Sequence, residues 1–144
     1  MSYDFMLMRL RGVPGTRPMA IPPDLAEDAC FPIANGALLF DAARAALAPE
    51  TLSPIERGFR WRTPDGGQLD VNVAAPAISI NCHAHWDHVA TVYELARGLW
   101  SDVVLMDLQS VELHDAASLR AYAVDHYDTE ERQRARRAAK GADA

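Results

Sequence analysis

Between Gly58 and His83 the chain alternates apolar and polar residues in three successive runs, and this pattern limits the fold more than any other feature. Phe59 and Trp61 alternate with Arg60 and Arg62. Leu69, Val71 and Val73 resume the pattern after Pro64-Asp65-Gly66-Gly67, and Ile78, Ile80 and Cys82 resume it after Ala75-Pro76. Successive side chains of a strand point to opposite faces, so each run places its apolar set on one side and its polar set on the other. Pro-Asp-Gly-Gly is turn chemistry, and Ala-Pro interrupts the ladder, which predicts three antiparallel strands in sequence. Such a meander buries one face and leaves the other polar.

The flanking segments extend that sheet. Tyr3, Phe5 and Leu7 share one parity and Met6, Met8 and Leu10 the other, as in a strand covered on both faces. Residues 11–34 hold five prolines (Pro14, Pro18, Pro22, Pro23, Pro32) and read as a loop with at most one helical turn near Asp24 to Asp28. A helix is predicted over Ala37 to Leu47, capped by Asn35-Gly36 and stopped before Pro49, followed by a second loop to about Ile55. Val89, Val92, Leu95, Ala96 and Leu99 recur at helical spacing with Asp87 placed as the amino-terminal cap. Val103 to Met106 reads as a short buried strand, Val111 to His114 as a further edge strand, and Ser118 onward as a helix with Leu119, Tyr122 and Ala123 on one face. The expectation is an α+β domain: a single antiparallel sheet of about five strands, its helices at 36–48 and 87–99 packed mainly on one face.

The 144 residues, 49% hydrophobic and 24% charged, are enough for one domain with its own core. We expect this domain over residues 1–128 and a basic, fraying helical tail over 129–144. Residues 1–128 carry 9 Lys and Arg against 17 Asp and Glu, and the tail 5 against 3, giving −8 and +2. The acidic body excludes a nucleic-acid footprint and permits steering towards a basic partner. No basic stretch leads into an apolar run at the amino terminus, and no segment approaches the roughly 18 apolar residues of a membrane span. A cytoplasmic location is expected, with no membrane partner, and Cys30 and Cys82 as buried free thiols.

Four potential metal ligands fall within the six residues His83-Ala84-His85-Trp86-Asp87-His88, between a predicted strand and a predicted helix. His83 and His85 share a strand face, and Asp87 and His88 follow at the turn, an arrangement that permits convergence on one ion. The pattern His-x-His-x-Asp-His resembles the metal-binding signature of the metallo-β-lactamase superfamily, and Ala37-Leu38-Leu39-Phe40-Asp41 faintly resembles its earlier strand ending in Asp. That resemblance implies zinc held by His83, His85, Asp87 and His88 and used to activate water. The chain departs from it in being shorter than the superfamily's two-sheet fold and in placing Val89-Ala90-Thr91 where glycines follow the signature. His114 and His126, the remaining histidines, stand in no matching context. Read from the pattern alone, His83 and His85 lie with Ser79 and Asn81 on the polar side of the sheet, Trp86 staples the helix start or presents an aromatic anchor, and His114 and His126 are surface residues.

A second resemblance covers more of the chain. The opening Met1-Ser2-Tyr3-Asp4, and the block from about Val71 through a strand, a helix and Val104-Leu105-Met106-Asp107-Leu108-Gln109, are similar to a group of small bacterial α+β proteins, several regarded as immunity or antitoxin-like partners of secreted toxins. Leu108 stands where that group has proline. The resemblance implies an immunity-like, protein-binding role. No nucleophile elbow surrounds a serine, and Cys82 and His83 point to opposite faces, so no Cys-His pair forms. Asp107 and Gln109 fit closure of a strand end by local hydrogen bonds. The expectation is therefore a protein-binding domain with no catalytic residues and no cofactor, docking another protein through Arg60, Arg62, Asn81, His83, His85 and Trp86. The alternative is a zinc-dependent hydrolase.

Overall fold

The computed structural model describes residues 3–10, 15–22, 30–74 and 77–142, and for residues 30, 31, 126–131, 141 and 142 the backbone alone. The strands are β1 (Tyr3–Leu10), β2 (Met19–Ala20), β3 (Cys30–Phe31), β4 (Leu52–Ile55), β5 (Gly58–Arg62), β6 (Gln68–Ala74), β7 (Ala77–His83), β8 (Val103–Asp107) and β9 (Glu112–His114). The helices are α1 (Ala37–Ala46), α2 (Asp87–Leu99), α3 (Ala116–Tyr122) and α4 (Asp128–Ala142), with a π turn at Ala123–Tyr127 joining the last two.

The fold is α+β with one antiparallel sheet, but the sheet is wider than the five strands expected. Eight strands run in the order β2-β9-β8-β1-β7-β6-β5-β4, and β3 pairs onto the end of β1. The additional strands are β2 and β3, two residues each inside the proline-rich segment, and β4, which reads as loop because Pro54 interrupts it. Proline lacks a donor and is tolerated on an edge strand, where β4 lies. The helical turn expected around residues 24–28 lies outside the described residues.

β1 is central because both of its faces are apolar. Phe5 and Leu7 join Phe59, Trp61, Leu69, Val71, Ile78, Ile80, Cys82, Val103 and Leu105 in the main core, beneath Leu39 and Ala43 of α1 and Val89, Val92 and Ala96 of α2. Full burial of one such side chain is worth about 1.5–3 kcal/mol. On the reverse face, Leu10, Val104, Met106 and Leu113 form a second cluster, with Met6, Met8, Met19 and Ile21 against it. The reverse face is thus apolar across β1, β8 and β9 and polar across β5, β6 and β7.

One helix start is set as expected and another is not. Gly36 caps α1 without a side-chain bond, and a Cβ there would lie 2.3 Å from Val73 Cγ1, so close packing selects the glycine. Trp86, not Asp87, is the cap position of α2; Asp87 is the first residue of the helix, and its carboxylate meets His85 Nδ1. α3 has the capping box in full: Asp115 Oδ1 accepts from the Ser118 N–H at 2.7 Å and Ser118 Oγ accepts from the Asp115 N–H at 3.0 Å.

Candidate functional site

Strand register carries the polar residues of β5, β6 and β7 into rows across the reverse face. Arg60 stands opposite Asp70, Asp70 opposite Asn81, and Asn81 opposite Asp4 of β1. Side chains follow the same order: Arg60 holds Asp70 through two contacts, Nε to Oδ1 at 2.7 Å and Nη2 to Oδ2 at 3.1 Å, and Asn81 Nδ2 donates to Asp4 Oδ1 at 2.8 Å. The hydrogen bond to Asp70, with its charge, pushes the Arg60 pKa further up. A second row, Arg62, Gln68 and His83, runs alongside. Arg62 Nη2 donates to the Glu50 carbonyl at 2.7 Å, and both Arg62 and His83 are exposed. Four of the six residues expected to form a docking surface, Arg60, Arg62, Asn81 and His83, therefore share one face.

Trp86 does not join them. It is 2% exposed, edge-on to Tyr3 with ring centroids 4.9 Å apart, edge-on to Phe5 at 5.7 Å and stacked on Tyr122 at 5.4 Å. Tyr3 and Phe5 belong to the helix-covered core, so Trp86 fixes the start of α2 to β1 from the side opposite Arg60. His85 lies beyond the end of β7, in the connection to α2, and separates from His83 because the chain has already left the sheet.

His85 instead belongs to a junction between the β5–β6 turn and α2. Its Nδ1 lies 2.9 Å from Asp87 Oδ1. His88 Nε2 lies 3.3 Å from Asp65 Oδ1 and 3.7 Å from Asp87 Oδ1, and its ring meets the face edge of Trp61 at 5.3 Å. Asp65 organises the group: Thr63 Oγ1 and the Gly67 N–H donate to its Oδ1, and the His85 N–H donates to its Oδ2 at 3.1 Å. Burial works to raise the Asp65 pKa, but the Thr63, His85 and Gly67 hydrogen bonds and the nearby His88 outweigh it and hold the carboxyl below its usual range. Sequence reading identified Asp65-Gly66-Gly67 as a turn and missed the carboxylate's reach across 20 residues to His85, which nothing local to the turn signals.

Of the four ligands in the zinc reading, His85, Asp87 and His88 are neighbours and His83 is turned to the sheet face. Among the described residues, no group of three or more His, Cys, Asp or Glu is arranged to hold a metal ion. Cys82, beside this junction, is fully buried, and burial pushes its thiol up to about 12, with the Asp65 and Asp87 carboxylates acting in the same direction. A thiol held in that form is a poor nucleophile.

His114 departs most from expectation. Read as a surface residue, it is 0% exposed, because β2 pairs outside β9 and α3 folds over it. Its Nδ1 lies 2.9 Å from Ser118 Oγ, and its ring meets Tyr122 at 5.4 Å. Asp107 is equally buried and closes the β8 end as expected, accepting from the Gln109 N–H at 2.9 Å and Ser110 Oγ at 2.7 Å. The side chains of His126 and Cys30 lie outside the described residues.

No protein-family model matches the chain, and no curated protein or solved structure is similar to it. Among the described residues no helix is long and apolar enough to cross a membrane.

Proposed function

We propose that this chain is a small immunity-like domain that binds another protein through the polar half of its reverse sheet face and performs no catalysis of its own. The observation that carries this reading is the pairing of Arg60 with Asp70 across β5–β6 and of Asn81 with Asp4 across β7–β1, on a face that α1 and α2 do not cover. Pairs held by register are ordered before a partner arrives, which lowers the entropic cost of docking. The face is balanced in charge, with Arg60 and Arg62 against Asp4 and Asp70. Recognition is therefore by matched hydrogen bonds, and the partner is a protein with a polar, hydrogen-bonding contact surface. The acidic body supplies long-range steering and disfavours nucleic acid. A photo-crosslinking residue at position 62 is expected to capture the partner in the producing cell, and one at position 38 on α1 is not. Equal capture from both positions, or from neither, contradicts the reading.

A zinc-dependent hydrolase is the alternative, and the proximity of His85, Asp87 and His88 is the observation in its favour. It requires zinc in about one-to-one stoichiometry by elemental mass spectrometry, lost together with turnover in His85→Ala. Against it stands the place of His83, and the contacts that His85 and His88 make with Asp65 and Asp87, which already account for their arrangement.

A further inference from the structure

Among the described residues five large apolar side chains are exposed: Leu38, Leu99, Leu108, Val111 and Val124. Leu38, Leu99 and Val124 stand singly on α1, on α2 and in the π turn, which is ordinary for a protein surface. Leu108 and Val111 differ, because both belong to the turn that joins β8 to β9. They extend a pair on the reverse sheet face: Met106 and Leu113 are partners in register within the apolar cluster there, Leu108 lies two residues beyond Met106, and Val111 two residues before Leu113.

The turn is fixed from three sides. The buried Asp107 carboxylate accepts from the Gln109 N–H and from Ser110 Oγ. The Asp4 carbonyl accepts from the Leu108 N–H at 3.2 Å and from Gln109 Nε2 at 2.7 Å, and the Val111 carbonyl accepts from the Ile21 N–H at 3.2 Å. Asp4 also holds Asn81 through its carboxylate. One residue therefore joins the turn to the row of Arg60, Asp70 and Asn81, and Leu108 comes next in that row.

Val111 holds a conformation that its side chain resists. Its φ is +58°, in the left-handed region that glycine and asparagine enter readily and a β-branched residue does not, and among the described residues no other non-glycine residue has a positive φ. At 58% exposure the side chain has little packing to offset this. Glycine would relax the turn and lose few contacts within the chain, so folding alone does not account for valine here. Strain of this kind collects where a side chain has to be presented in a fixed direction to something else. An apolar group on an ordered turn, beside polar groups already paired, has the composition of a binding hot spot.

We propose that Leu108 and Val111 are the apolar anchor of the docking face, a role that rests on the protein-binding reading above, and that they enter an apolar pocket of the partner protein while the row from Asp4 to Arg60 makes the surrounding hydrogen bonds. The partner is thereby a protein whose contact surface has an apolar pocket bordered by hydrogen-bonding groups. A uniformly polar surface does not fit, because it leaves both side chains without apolar contact. A second copy of this chain is disfavoured as the occupant, since each copy carries a net charge of −6 and the two repel.

Photo-crosslinking residues at positions 62, 108, 111 and 124 of the full chain, in the producing cell, test this. Positions 62, 108 and 111 are expected to capture the same protein by mass spectrometry, and position 124, equally exposed but off the face, is not. In the chain with the crosslinker at 62, Val111→Gly is expected to lower capture about tenfold or more, with a urea midpoint equal to or above that of the parent. Leu108→Ser, also at an exposed position, is expected to lower capture without lowering the midpoint. Capture at 62 with none at 108 and 111, or undiminished in Val111→Gly, overturns the anchor and leaves the docking face standing, whereas capture at none of the positions overturns both. A midpoint that falls in Val111→Gly gives the side chain a packing role and overturns the proposal. So does sedimentation of the wild type as a dimer that Val111→Gly dissociates, which identifies a second copy as the occupant.

Discussion

Asp65 Oδ2 accepts a hydrogen bond from the backbone N–H of His85 at 3.1 Å, tying the β5–β6 turn to the entry of α2. The same carboxylate meets Thr63, Gly67 and His88. Asp65→Ala removes these partners together and is expected to lower stability by about 2 kcal/mol, a few net hydrogen bonds at a partly exposed site. Because the folded-state pKa is depressed, this contribution is present above the ordinary carboxyl range near pH ~4 and is lost as pH falls through the lower folded value. Urea denaturation of wild type and Asp65→Asn at decreasing pH checks it: the wild-type midpoint falls across that range more steeply than that of the variant. Parallel curves would refute the assignment.

The pH dependence of His114 lies at the neutral end of the scale. Burial lowers its pKa, opposed by Asp107, Glu112, Asp115 and the hydrogen bond at Ser118. The unfolded chain therefore takes up the proton first, and stability present above about pH 6.5 declines as pH falls below it towards the folded value. His114→Gln should flatten the fall in urea midpoint between about pH 7.5 and 5.5. An unchanged slope would show that His114 is not the group responsible.

Trp86 separates core from surface roles. Trp86→Ala removes the ring that joins Tyr3, Phe5 and Tyr122, and is expected to cost about 3–5 kcal/mol in chemical denaturation. A cost under about 1 kcal/mol would fit a surface anchor instead.

Gly58 is the tightest point of the meander. A Cβ there would lie 1.8 Å from the Val71 carbonyl oxygen, so Gly58→Ala must displace β5 from β6. A loss of about 1–3 kcal/mol is expected in urea denaturation, with faster amide exchange along the β5–β6 ladder. Wild-type stability in this variant would contradict the packing.

The meander was legible because Phe59, Trp61, Leu69, Val71, Ile78 and Ile80 keep strict parity, and α1 and α2 because their apolar residues keep helical spacing up to a clear stop. Two-residue β2 and β3 carry no period, and β4 is interrupted by Pro54, so these strands follow from tertiary pairing alone. The shared face of Arg60, Arg62, Asn81 and His83 could be read from parity. Parity failed at His85, Trp86 and His88, where the chain leaves the strand and its side chains turn to Asp65, Asp87 and the core. His114 looked exposed because a polar residue ending a short strand usually is, and β2 and α3, which bury it, come from distant parts of the chain.

The most direct test of the account compares capture of the cellular partner by wild type, by an Arg62→Glu/His83→Glu double variant on the sheet face, and by Asp65→Asn in the histidine junction. Both face positions are exposed, so the double variant is expected to stay folded, within about 1 kcal/mol of wild type. The account predicts that the double variant loses the partner and that Asp65→Asn retains it. Retention by the face variant, with loss in Asp65→Asn, would contradict it and move the function to the histidines.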